Sequence, residues 1–176
     1  MGISKNINNH TLSLVTTDIT DFEVEAFVFY AREDLQLGTG FGNAISMRGG
    51  LTIQKALDVI GKANLTDALV TGAGNMKAKY IVHAVGPKFQ EPGIEDKLKT
   101  TIFNSMKAAE EKGIKQLAFP SMGAGFYGIP LPVCADIMVT EIKDYLENSA
   151  TLEEVIICAL DKREYNAFKL NLDNLR

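Results

Sequence analysis

The chain predicts an α/β fold, with a mixed sheet held between helices. Three observations carry that prediction. The second half alternates helix, strand, helix, strand, helix, which implies βαβ crossovers and parallel strand pairs. A continuous β-prone run, residues 26–30 (AFVFY), reads as a buried strand, and residues 79–85 (KYIVHAV) read as another strand. Two glycine-rich stretches each come shortly after a strand, where such sheets place their ligand loops.

The elements follow in order. Residues 1–10 are polar and Asn-rich, and read as a lead-in; they have no apolar core of a secretory signal. Residues 11–16 (TLSLVT) alternate as a strand does, and residues 26–30 form the buried strand already noted. Residues 38–50 are Gly-rich, with a helix opening at residues 43–47, and residues 51–60 continue helical. Residues 67–71 (DALVT) and 79–85 are strands separated by Gly72-Ala73-Gly74-Asn75. Residues 95–112 form an amphipathic helix with Leu98, Ile102, Ser105, Met106 and Ala109 on one stripe and Gly113 as C-cap. Residues 116–120 (QLAFP) are a strand, residues 121–130 a Gly-rich loop, and residues 131–147 a helix with Pro132 in its first turn. Residues 154–160 are the last strand and 163–172 the closing helix. The early strands add antiparallel members to the sheet. With no repeat, low-complexity segment or linker, residues 1–176 read as one domain.

Composition narrows the function. The chain is 46% hydrophobic and 23% charged, with net charge −4 and pI about 5.2. Its 18 basic residues are spread along the chain, which argues against long nucleic acid as a partner. A small anion stays open, because backbone amides bind phosphate without lysine or arginine. Every apolar run is far shorter than the ~20 residues of a membrane span. Cys134 and Cys158 lie in apolar stretches and read as small buried residues, which points to a reducing cytoplasm. Two distant histidines give no zinc-ligand spacing, so neither a metal nor a cofactor is expected.

The richest segment is Pro120-Ser121-Met122-Gly123-Ala124-Gly125-Phe126-Tyr127-Gly128-Ile129-Pro130, between a strand and a helix. Glycine lets backbone approach a phosphate closely, so a ligand loop is favoured over a strained structural turn. Gly123, Gly125 and Gly128 also match G-x-G-x-x-G, but the unit lies late in the chain and the acid of a dinucleotide fold is not at its usual offset. The second segment is Leu37-Gly38-Thr39-Gly40-Phe41-Gly42-Asn43-Ala44-Ile45; together the two loops could clasp one diphosphate. Asp18 reads either as an N-cap or as an acceptor for an adenine amino group. His83 alternates with Ile81 and Val85 and reads as a core histidine. Glu110 and Glu111 read as solvated charge on a polar helix face.

In this order the motifs resemble macro domains. The resemblance rests on Thr17-Asp18-Ile19-Thr20, on the first glycine loop, on Ala78-Lys79-Tyr80-Ile81-Val82-His83-Ala84-Val85-Gly86-Pro87, and on Phe119-Pro120-Ser121-Met122-Gly123-Ala124-Gly125-Phe126-Tyr127-Gly128. It spans roughly residues 11–172. It implies a three-layer α/β/α fold with a mixed, mostly parallel six-stranded sheet, and a cleft for ADP-ribose at the strand ends. By resemblance Asp18 holds the adenine amino group and Ile19 lines that pocket. Gly38, Thr39, Gly40, Phe41 and Gly42 wrap the diphosphate from one side, and Ser121, Met122, Gly123, Ala124, Gly125, Phe126 and Tyr127 from the other, with Phe126 near the distal ribose.

The departures bear on chemistry. Where the family carries Asn-Ala-Ala-Asn this chain has Phe29-Tyr30-Ala31-Arg32, so Arg32 stands in place of the distal-ribose asparagine. Arg32 either meets an anionic group of the ligand or pairs with Glu33 or Asp34. Gly42 stands where hydrolytic members carry an acid, Leu160 where an aromatic often stacks on adenine, and Thr39 replaces a glycine, which would tighten the first loop. The reading that follows is a binding module for ADP-ribose or a related nucleotide, free or on an ADP-ribosylated protein. Two alternatives stay open: an enzyme hydrolysing ADP-ribosyl or phosphate bonds, and a fold that has lost its ligand and serves as an interaction domain. The losses at positions 32 and 42 lean against the enzyme.

Overall fold

A computed structural model describes residues 2–149 and 151–175, with the side chain of Phe126 also outside what is described. In chain order the strands are β1 (Gly2–Ile7), β2 (His10–Thr16), β3 (Ala26–Ala31), β4 (Ala68–Gly72), β5 (Tyr80–Val85), β6 (Gln116–Pro120) and β7 (Glu154–Ala159). The helices are α1 (Phe41–Gly49), α2 (Thr52–Ile60), α3 (Ile94–Glu111), α4 (Leu131–Asn148) and α5 (Lys162–Asp173). The strands form one sheet in the order β1-β2-β7-β6-β3-β5-β4. The four central pairings are parallel, and the two edge pairings, β1 with β2 and β4 with β5, are antiparallel.

The sheet has seven strands rather than the six expected, because the polar lead-in is itself a strand. Ile3 and Ile7 alternate inward along β1, and Ile7 faces His10 across a tight turn through Asn8 and Asn9. Asn8 takes φ 55, a left-handed conformation that asparagine tolerates better than most residues. Polar outward positions suit an edge strand that needs only one buried face.

Alternation along the central strands builds two cores. In β3, Ala26 and Val28 face one side while Phe27, Phe29 and Ala31 face the other. The first side meets α3, α4 and α5 through residues such as Leu98, Ile102, Met138 and Phe168. The second meets α1 and α2 through Ile45, Ile53 and Leu57. Helices cover both faces, so the sheet forms the middle of three layers. Among the described residues no helix is long and apolar enough to cross a membrane, and no group of His, Cys, Asp and Glu could hold a metal ion.

His83 and the cysteines lie inside. His83 is fully buried, its Nε2 lying 2.8 Å from the Thr71 hydroxyl, which in turn donates to the Gly72 carbonyl. The Thr71 oxygen therefore accepts from Nε2–H, and Nδ1 is left as a buried acceptor without a partner among the described residues. Burial lowers the His83 pKa to about 4 and raises both Cys134 and Cys158 to about 12. The thiols are free, neutral and packed.

Candidate functional site

The carboxyl ends of β2, β7, β6 and β3 open onto a cleft of about 340 Å³. Each wall comes from the segment leaving one strand. Asp18 and Ile19 leave β2, Leu160 leaves β7, Ser121 leaves β6, and Gly40 and Phe41 follow β3 at the start of α1.

Asp18 caps a single 3-10 turn, Ile19–Asp21. Its Oδ1 accepts from the Thr20 amide at 2.9 Å and the Thr20 hydroxyl at 2.6 Å. Its Oδ2 takes neither bond and lies 3.5 Å from Arg48 Nη2. The Thr20 hydroxyl bond holds the Asp18 pKa below the ordinary carboxylate value; burial opposes this, and the Thr20 amide and the Arg48 charge add to it. The capping role and an outward-facing acceptor thus sit on the two oxygens of one side chain. Beside it, Ile19 packs into the core, and its amide donates to no acceptor among the described residues.

The first glycine loop turns sharply into α1. Gly40 has φ 60 and ψ −124, which a side chain would resist, and the first intrahelical bond is from Ala44 to Gly40. The amides of Phe41, Gly42 and Asn43 precede that bond and have no intrahelical acceptor. Gly42 itself is buried: a Cβ there would stand 1.6 Å from the Leu37 carbonyl oxygen. With this backbone there is no room for an acid, or any side chain, at position 42. Gly38 and Thr39 are exposed at the tip of the loop, and the Phe41 ring meets the edge of Phe29 at 5.1 Å.

The second loop closes on itself through Ile129 N–H to Gly123 O and Gly128 N–H to Gly125 O, both 3.0 Å. Between them, the amides of Ala124 and Gly125 donate to no backbone carbonyl among the described residues. Met122 turns into the core and its amide faces the Met138 sulfur at 3.3 Å, while Gly123 is buried beneath it. Gly125, Phe126 and Tyr127 make a short 3-10 turn, and Tyr127 lines a second hollow rather than this cleft. Ser121 lines the cleft, and its Oγ is shielded from solvent with no hydrogen-bond partner among the described residues.

A second hollow, about 320 Å³, lies over the ends of β3 and β5. Arg32 stands there paired with Asp34 at 2.6 Å, one of the two pairings open from sequence, and Lys88 pairs with Glu33 at 3.2 Å. Arg32 Nη1 lies 3.4 Å from where a Cβ of Gly38 would stand, so the guanidinium overlies the first loop. Tyr127, from the second loop, stacks on Tyr30 at 4.1 Å, and the Tyr30 hydroxyl donates to the Pro87 carbonyl. Burial raises the pKa of both tyrosines.

Sequence reasoning did not single out Thr20, Arg48, Cys158 or Glu164 in this neighbourhood. Asp161-x-x-Glu164 is a recognisable helix-start pattern, with Asp161 Oδ1 accepting from the Glu164 amide at 2.9 Å. That pattern marks the beginning of α5 but not its position on a cleft.

Comparison with known proteins matches this geometry to a family. The Macro domain family model matches residues 30–138. A protein of Saccharolobus solfataricus is 40% identical over 169 residues, covering 94% of each chain. A macro domain-containing protein of Caldanaerobacter subterraneus is 36% identical and covers 93% of this chain and 97% of its own. Among solved structures, a mutant of the Oceanobacillus iheyensis macrodomain with ADPR superposes with a TM-score of 0.92 at 25% identity, covering 98% of this chain and 97% of its own. That macrodomain is also solved with ADP, again with a TM-score of 0.92. The sheet order, the glycine loops and these likenesses agree, and the chain belongs to the macro domain family.

Proposed function

We propose that the main cleft binds ADP-ribose or a closely related nucleoside diphosphate. The observation that carries this reading is the cleft itself. At one end it sets an acceptor beside a free donor, Asp18 Oδ2 and the Ile19 amide, and farther along the sheet it is walled by Gly40, Phe41 and Ser121, where α1 and the second loop begin. Adenine presents an amino donor next to a ring acceptor, which complements the first pair. The α1 N-terminus and the second loop supply amide donors for a diphosphate without any lysine. Solution of the Oceanobacillus iheyensis macrodomain with ADPR and with ADP supports the same ligand class here.

In this reading Gly38–Gly42 and Ser121–Tyr127 flank the diphosphate, and Arg32 borders the far ribose. The ion pair of Arg32 with Asp34 is half exposed and worth less than about 1 kcal/mol, so an anionic group on a ligand can compete for the guanidinium. Asp18 and Glu164 stand at the β2–β7 end, away from Arg32, and the carboxylates beside Arg32, Glu33 and Asp34, are held in ion pairs with Lys88 and Arg32. Binding rather than hydrolysis is therefore the activity we assign.

Calorimetry with ADP-ribose and AMP tests the assignment. ADP-ribose should bind the tighter of the two, because AMP engages one loop where the diphosphate engages both. Equal affinities would count against the two-loop clasp, and no heat with either would remove the reading.

A further inference from the structure

Glu164 is the one carboxylate that the fold buries among the described residues, with 9% of its surface exposed. No lysine, arginine or histidine pairs with it among those residues. An unpaired carboxylate is costly to bury, so the few contacts that hold it are informative. Its Oε1 accepts from the Leu160 amide at 2.9 Å, and the residue sits in the first turn of α5, where the helix dipole favours negative charge. These contacts fix the side chain and leave Oε2 without a hydrogen bond. That oxygen is not sealed away: the side-chain atoms both shielded from solvent and unpartnered are His83 Nδ1 and Ser121 Oγ. Glu164 lines the main cleft, and its free oxygen keeps contact with solvent.

Position along the sheet indicates which part of a nucleotide it meets. Asp18 follows β2, Glu164 lies just beyond β7, Ser121 follows β6 and Gly38 follows β3, and these four strands are neighbours in that order. Adjacent strands lie about 4.8 Å apart, comparable with the step from base to ribose and from ribose to phosphate. With the base at Asp18 and the diphosphate between the β6 and β3 loops, the ribose joined to the base lies over β7.

The geometry points to Glu164 as the residue that recognises the 2′,3′-diol of the adenosine ribose and rejects ligands carrying a phosphate there. This rests on the reading of the cleft as an ADP-ribose site. Ribose hydroxyls donate and a carboxylate accepts, whereas a 2′-phosphate brings negative charge and competing acceptors. An acid accepting from a ribose 2′-hydroxyl is also how dinucleotide-binding folds favour the unphosphorylated cofactor.

The test is calorimetry on the whole chain with ADP-ribose, its 2′-deoxy analogue at the adenosine ribose, and its 2′-phosphate at the same ribose. Wild type should bind ADP-ribose about tenfold or more tighter than either analogue, the scale of one hydrogen bond to a charged group. Glu164→Gln keeps an oxygen for the Leu160 amide and should keep its Tm. It should shrink the preference against the 2′-phosphate by about tenfold as the charge is removed. Equal binding of ADP-ribose and its 2′-phosphate by wild type, or an unchanged preference in a natively stable Glu164→Gln, would overturn the role of Glu164 while leaving the cleft reading intact. Absence of binding by all three ligands to wild type would overturn both. If the variant melts early, the three-ligand comparison on wild type decides alone.

Discussion

Asp18 shows how one side chain can be structural and functional at once. Oδ1 is taken up by Thr20, so replacing Asp18 with alanine would remove both a cap and the proposed base contact. Asparagine separates them. Asp18→Asn can keep an oxygen toward Thr20 and turns an amide NH₂ toward the base, where it meets another donor. Stability should change by less than about 1 kcal/mol, since asparagine is a good cap. Affinity for ADP-ribose should fall by about 1.5–3 kcal/mol, with ribose 5-phosphate binding unchanged. A calorimetric series in which both ligands weaken equally would leave Asp18 a cap and nothing more. Gly42 makes the opposite case: its lack of a side chain reads from sequence as a missing acid, but the Leu37 carbonyl leaves no room for any side chain in this backbone.

At the scale of elements, Glu110 ties three of them together. The sequence marks Glu110 as solvated charge at the end of α3. The structure instead has it accept from the Ser149 hydroxyl, from Tyr145 at 2.8 Å, and from the Thr151 and Leu152 amides at 3.3 Å. It thereby joins α3 to the end of α4 and to the segment entering β7. Burial pushes its pKa up, but these hydrogen bonds outweigh burial and bring it to about 2. Glu110→Ala should cost about 1–3 kcal/mol in urea unfolding, the range for losing hydrogen bonds to a charged acceptor. Glu111→Ala, on the exposed side of the same helix, should cost less than about 0.5 kcal/mol. Equal effects at the two positions would return Glu110 to the solvated face.

Acid stability belongs to the whole molecule. Burial holds His83 at about 4, below its ordinary 6.5. An unfolded chain takes up that proton near pH 6.5 and the folded one only near 4. The contribution of a neutral His83 is therefore fully present above 6.5 and is lost as pH falls toward 4, by up to about 3 kcal/mol. Glu110 acts in a lower window: its contribution is present above 4.5 and is lost as pH falls toward 2. Urea unfolding at pH 7, 5.5 and 4 should show a decline in wild type that is flatter in His83→Leu. Parallel declines would mean that His83 is not the group being charged.

How much could be read from the chain alone differs by element and by site. Six strands and five helices were legible from local pattern: AFVFY is a continuous β-prone run, KYIVHAV reads as a strand, and Leu98, Ile102 and Ala109 mark one helix face. The two glycine loops were legible because glycines clustered after strands have few other uses. β1 was not, since an edge strand buries one face and its alternation of Ile3 and Ile7 is hidden among asparagines. The α/β class and the family likeness were thus determined by sequence, through local pattern. Tertiary structure decided what depends on residues distant in the chain meeting in space. Glu110 met Ser149, and Glu164, whose sequence pattern marks only a helix start, was carried to the wall of the cleft that Asp18 also lines. The reason is physical: local propensity sets which elements form, but the sheet order β2-β7-β6-β3 sets which strand ends are neighbours, and that order comes from burying both faces of the sheet at once.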